Sequence, residues 1–316
     1  MTRPRTLSLC SGYGGLDLAV EEVFGAETIA VADIDRDASA VLDVRYPDVP
    51  NLGDFTVMDW AGFDPVDIIT AGYPCQPFSQ AGRRKGADDD RHIWPEVLRA
   101  IRTLRPGTVV LENVRGHLSL GFGRVLGDLA ESGYVGSWVC LRASDVGAPH
   151  ARARVFIVAT DTHRRRLEGV AQQHGAPQQV AANRHSCGRH AAGRSVEAAA
   201  DPDGEAGGRE GRAGQALPEP GTIERPGRCD RVALDWGPYA AAVNRWERII
   251  GRPAPSVLNP CNPKQLNAPF VEWMMGLPEG WVTDIIPNRR ALHTLGNGVV
   301  PRQAAAALRL LGPCSP

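Results

Sequence analysis

The N-terminal half of the chain alternates two hydrophobic rhythms. RTLSL carries a short apolar run into a glycine-rich turn, SGYGG. In GGLDLAVEEVF, which follows, Leu16, Ala19, Val20, Val23 and Phe24 recur at the spacing of one helix face. TIAVAD (28–33) predicts a second strand, DASAVLDVRY a second helix and VDIITAG (66–72) a third strand. WPEVLRAIRTLRPG puts Val97, Ile101 and Leu104 on one stripe and stops at Pro106-Gly107. TVVLEN (108–113), YVGSWVCLRA and RVFIVAT then read as further strands. Strands and helices alternating in this way predict an α/β domain.

Past residue 160 the rhythm is lost. Residues 161 to 262 are rich in Gly, Ala, Arg, Gln and Pro and predict a loop-rich region with one helix, in YAAAVNRWERIIG. Order returns from Asn267 with APFVEWMMGLPEGW and TLGNGVVPRQAAAALRLLG, whose Pro301 and Gly312 mark a helix start and stop. No repeat of solenoid period is visible.

Composition narrows the class. A net charge of −1 over 316 residues excludes an overall electrostatic pull toward nucleic acid or membrane, though not a local patch. Lysine occurs only at Lys85 and Lys264, so positive charge is almost all arginine, suited to forked recognition of phosphate, carboxylate or guanine; a biased genome gives the same abundance. Seven scattered cysteines without a CxxC pair exclude a zinc ribbon or disulfide scaffold and predict no metal site. The start, MTRPRTLSLCSGYGG, is too short in apolar residues for a signal peptide or span, which predicts a cytoplasmic protein with no membrane partner.

Several clusters carry candidate chemistry. SGYGGLD lets backbone approach a ligand beside a helix start, but Asp17 stands where a GxGxxG fingerprint has its third glycine, so a dinucleotide fits poorly. Asp33, ending the second strand, is placed to accept from ribose hydroxyls, and Asp54 from an adenine amino group; taken alone, each reads first as a surface or cap residue. Cys75, framed by Pro74 and Pro77 at a strand end, has a fixed direction and reads as a nucleophile or an inert thiol. Glu112, emerging from a buried strand, is costly to ionise, so its pKa is expected to rise. Arg152 and Arg154, two residues apart, are expected on one strand face, holding either a carboxylate or a substrate.

GYPCQPFS, LENV, RAR before a strand and a terminal LGNGVV, in this order after SGYGG, resemble the C5-cytosine DNA methyltransferases over about 1 to 160 and 264 to 312. The resemblance extends to that family's RNA-acting branch. It implies a Rossmann-like doubly wound sheet binding S-adenosyl-L-methionine, with a smaller inserted target-recognition domain. The domains implied are 1–160 (catalytic and cofactor-binding), 161–263 (target recognition) and 264–316 (a segment returning to the first). Cys75 would be the nucleophile, Glu112 the partner of the cytosine N3 edge, and Arg152 and Arg154 the arginines that position base and acid. The implied cofactor contacts are Cys10, Ser11, Gly12, Tyr13, Gly14, Gly15, Asp33, Ile34, Asp54, Phe55, Gly72, Pro74 and Asn297. The partners implied are double-stranded DNA, flipped one base at a time, and a cognate restriction endonuclease; the chain is expected to be a monomer. QAGRRKGADDDRHI (80–93) resembles the loop that closes over flipped DNA, with Gly82 and Gly86 as hinges and Arg83, Arg84 and Lys85 at phosphates. Departures are Cys10 for a phenylalanine, Asp33-Ile34 for a glutamate–aromatic pair, and His150 for a glutamine. Set against this reading are an RNA cytosine methyltransferase, a DNA-binding regulator without activity, and a nicotinamide enzyme.

Overall fold

The sheet is built from strands that bury both faces. The computed structural model describes residues 2–74, 93–162 and 235–312. All fall within one of the chain's two units, Met1–His185 with Asp235–Pro316, the other being Ser186–Leu234. Strands β1 (Arg5–Leu9), β2 (Glu27–Ala32), β3 (Ile68–Ala71), β4 (Thr108–Val114), β5 (Tyr134–Leu141) and β6 (Arg154–Asp161) form one sheet in the order β2-β1-β3-β4-β6-β5. The first four run parallel, and β6 is antiparallel to both β4 and β5. From β1 the chain passes to β2 on one side and then to β3 on the other. In open sheets a ligand crevice opens at such a switch point, outside the carboxyl ends of the strands.

Helices α1 (Gly15–Phe24), α2 (Arg36–Arg45), α3 (Trp94–Leu104) and α4 (Phe122–Glu131) come from the first half. After residue 235 come α5 (Ala240–Ile250), the hairpin β7 (Leu258–Asn259) and β8 (Asn262–Leu266), then α6 (Ala268–Met274), α7 (Asn288–Asn297) and α8 (Pro301–Leu311). Because side chains alternate across a strand, Val109, Leu111, Val155 and Ile157 pack with α3 and α4 on one face. Val110, Phe156 and Val158 pack with α1 and α8 on the other. The fold is thus doubly wound α/β, as the resemblance implied. Helix α4 and the exposed hairpin were not anticipated from the sequence.

Two further features bear on the site. Asp17, buried in the first turn of α1, accepts hydrogen bonds from Ser8 Oγ (2.8 Å) and Thr70 Oγ1 (2.7 Å), latching the helix to β1 and β3. Burial pushes its carboxyl up to about 6 despite these bonds. The second feature is a core in which Tyr13 and Val41 pack with Trp246, Trp273, Leu295 and Val300, so the late helices close over the first glycine turn. Among the described residues no helix is long and apolar enough to cross a membrane.

Candidate active site

Register brings the ends of β1 and β3 level with Leu111 of β4: Leu9 pairs with Ala71 and Ala71 with Leu111. The residues that follow, Cys10, Gly72 and Glu112, therefore line one edge of the sheet. A Cβ at Gly72 would stand 3.7 Å from both Cys10 O and Glu112 Oε2, so that glycine sits between the two walls.

The first wall is the turn after β1. Cys10, Gly12 and Gly14 adopt positive φ (52°, 58° and 81°), folding the chain back on itself. Ser11 ties the turn to β2 by accepting from Ala32 N (3.2 Å) and to β1 by donating to Ser8 O (3.2 Å). Gly12 N donates to Asp33 Oδ2 (2.8 Å), and Asp33 Oδ1 accepts from Asp35 N (2.9 Å). Burial raises the Asp33 carboxyl while these bonds oppose it. Burial, reinforced by Asp33, pushes the Cys10 thiol up to about 12, so it stays protonated and acts as an apolar wall rather than a nucleophile.

Tyr13 is fully buried and turns away from the open side, donating its hydroxyl to Val299 O (2.6 Å). A Cβ at Gly298 would fall inside its ring, and one at Gly15 would meet Val299 O, so both glycines are required by close approach. Over Gly12, by contrast, nothing among the described residues lies within 4 Å of a Cβ placed there. Ile34 next to Asp33 is 78% exposed. Asp54 caps the 3-10 turn Phe55–Val57, accepting from Thr56 N (3.0 Å) and Thr56 Oγ1 (2.6 Å), bonds that lower its pKa. The Phe55 side chain packs into the core.

These residues fit the cofactor that the resemblance implies. Among the described residues nothing fills the space over Gly12, which leaves backbone open to a ligand, Asp33 and Asp54 offer carboxylate oxygens, and Ile34 offers a bare apolar face.

The second wall carries charge. Glu112, 7% exposed at the end of β4, has Oε1 3.0 Å from Arg154 Nε, but off the line of the N–H, so the contact is an ion pair without a hydrogen bond. Burial lifts the Glu112 carboxyl to about 7, although Arg154 and Arg152 pull it down. Strand β6 begins at Arg154, and Arg152 before it has φ of 34°, so the two arginines do not share the strand face that their spacing predicts. Arg152 donates to Gly296 O (2.8 Å) and Gly298 O (2.5 Å), the carbonyls on either side of exposed Asn297.

Between the walls the chain passes Tyr73 on its way to Pro74. Asn113 Nδ2 donates to Tyr73 O (3.1 Å), the Tyr73 hydroxyl shares a hydrogen bond with His117 Nε2 (3.1 Å), and the ring packs on Trp94 with centroids 5.5 Å apart. Asn113 and His117 were not singled out from the sequence; their position just after the apolar run TVVL was the available signal. Gln303, fully buried, was missed as well. It donates to Leu141 O and Arg152 O (2.9 Å each) and so holds the unusual backbone of Arg152. His150 Nε2 lies 3.0 Å from Met274 O, with its pKa lowered by burial. Cys75, Gly82, Arg83, Arg84, Lys85 and Gly86 lie outside the described residues, as do the arginines between Arg164 and Arg212.

The family model for C-5 cytosine-specific DNA methylase matches residues 4–199. The Type II methyltransferase M.NgoMIV of Neisseria gonorrhoeae is 36% identical over 159 residues, 49% of this chain and 51% of that protein. M.DsaV of Dactylococcopsis salina, also a Type II methyltransferase, is 32% identical over 157 residues, 48% of this chain and 44% of that protein. The chain thus spans about half the length of the curated relatives it matches. The crystal structure of the Schizosaccharomyces pombe Dnmt2 methyltransferase shares the fold, with a TM-score of 0.56 over 98% of this chain and 100% of that one at 17% identity.

Proposed function

From the premise that this chain belongs to the C-5 cytosine-specific DNA methylase family, we propose that it transfers a methyl group from S-adenosyl-L-methionine to carbon 5 of cytosine in double-stranded DNA. The observation that carries the reading is the Glu112 carboxyl, lifted by burial to about 7, beside Gly72, which stands two residues before Pro74 and three before Cys75 in the chain. A carboxyl poised near neutrality can donate to a ring nitrogen as negative charge gathers there.

In this mechanism the target base leaves the duplex, at a cost of a few kcal/mol, to reach the sheet edge. The Cys75 thiolate adds to carbon 6 while Glu112 hydrogen-bonds N3, which turns carbon 5 into a nucleophile. S-adenosyl-L-methionine, when bound, supplies the electrophilic methyl group. Loss of the carbon 5 proton and expulsion of Cys75 restore the aromatic ring and the free thiolate. Asp33 and Asp54 take the ribose and adenine sides of the cofactor, and Arg154 keeps Glu112 oriented. Residues 161–263 supply target recognition, and the biological setting is a restriction–modification or phage-type modification system.

The test is methyl transfer to duplex DNA and to transfer RNA by the purified chain, followed by trapping on duplex containing 5-fluorocytosine within the methylated sequence. A covalent adduct at position 75 and label in DNA are expected, with Cys75→Ala giving neither. Label in transfer RNA alone would reassign the substrate.

A further inference from the structure

We infer that Trp281 is a positioning residue for the methyl donor, acting through the backbone of Tyr13, with Glu272 as the buried anchor that fixes it. The inference rests on the reading above that the turn Cys10–Gly15 holds the cofactor. Trp281 Nε1 donates to Tyr13 O (2.9 Å), across 268 positions of sequence. The same peptide unit is held at its other end, where Gly14 N donates to Ser11 O (2.9 Å). One peptide plane in the turn is therefore pinned on both sides, next to Gly12, where no described residue fills the space above the backbone.

The segment bearing Trp281 has no helix or strand of its own between α6 and α7, yet it is held tightly. Glu272, 1% exposed, accepts from Gly280 N (2.8 Å), Val282 N (2.6 Å), Thr283 N (3.1 Å) and Thr283 Oγ1 (2.9 Å). Those donors flank Trp281 and satisfy both carboxylate oxygens, which offsets the cost of burying the charge. On the other side Arg45, the last residue of α2, donates to Trp281 O (2.9 Å) and to Gly280 O, and its guanidinium lies 5.0 Å from the indole centroid. Packing an apolar ring needs none of this. A carboxylate on one side and an arginine on the other fix the direction of a single N–H, and that N–H points at the glycine turn.

Trp281→Phe keeps the ring and removes only the donor. The expected result is a rise of about two- to tenfold in the KM and Kd for S-adenosylmethionine, with turnover at saturating cofactor, KM for DNA and the cofactor-free melting temperature retained. Glu272→Gln should raise the same constant, and the two changes combined should raise it less than their product, because Glu272 acts through Trp281. Unchanged cofactor affinity in Trp281→Phe, or full additivity of the pair, overturns the inference. Failure of the wild-type chain to bind the cofactor or methylate DNA would instead refute the proposed function, so the two failures are separable.

Discussion

Two carboxylates buried at the sheet, Asp17 on α1 and Glu112 on β4, differ in their surroundings. Asp17 sits beneath the glycine turn with each oxygen capped by a hydroxyl, from Ser8 and Thr70, and its pKa rises to about 6. Glu112 faces two arginines, which should lower its pKa, yet it reaches about 7; Oε1 accepts no hydrogen bond and Oε2 looks toward Gly72. Burial raises both groups, opposed at Asp17 by two hydroxyl donors and at Glu112 by Arg154 and Arg152. The comparison separates a carboxylate that fastens a helix to a sheet from one that lies at the sheet edge beside Gly72.

Glu112→Gln tests the second role most severely. It should lower turnover by about a hundredfold or more while leaving cofactor and DNA binding nearly unchanged, as read by single-turnover kinetics and equilibrium binding. An unchanged rate would place the proton elsewhere. Wild-type kcat/KM should next show a limb that falls as pH rises through about 7, since only protonated Glu112 can donate, and the Gln variant should lack it. Arg154→Met removes the nearer cation, so that limb should move to higher pH by a fraction of a unit or more.

Asp17 predicts the smallest change and one of a different kind. Its folded-state pKa lies above the unfolded value, so its contribution to stability is complete below pH 3.8 and is lost as pH rises through about 6. Asp17→Asn should retain activity and remove that component, on the order of 1 to 3 kcal/mol between pH 4 and 8, in urea unfolding of the two proteins. A variant with the wild-type pH dependence of stability would mean that Asp17 is ionised without cost in the folded protein.

Much of the frame was legible in the sequence. The strands RTLSL, VDIITAG and TVVLEN declared themselves by apolar runs ending at polar or glycine residues, and Pro301 and Gly312 bracket α8 as expected. Helix α4 escaped because it follows Gly121 at φ of 84°, so Phe122, Val125 and Leu129 had no side-chain cap before them. The hairpin of β7 and β8 is exposed along its second strand and offers no alternation to read. At the site, spacing alone put Arg152 and Arg154 on one face, but the strand starts only at the second, and Gln303 from a distant helix sets the backbone of the first. Contacts such as Trp281 to Tyr13 leave no local trace, because a single N–H meeting a carbonyl across 268 positions has no periodicity.

The contact of Gly298 and Val299 with Tyr13 has a consequence for how the protein comes into being. A nascent chain can complete β1 through β4 long before the segment that backs the Tyr13 ring has been translated. Until residues near 300 leave the ribosome, the turn after β1 exists without the segment that shapes it, so it reaches its native form only once Val299 and the helix that follows have been made.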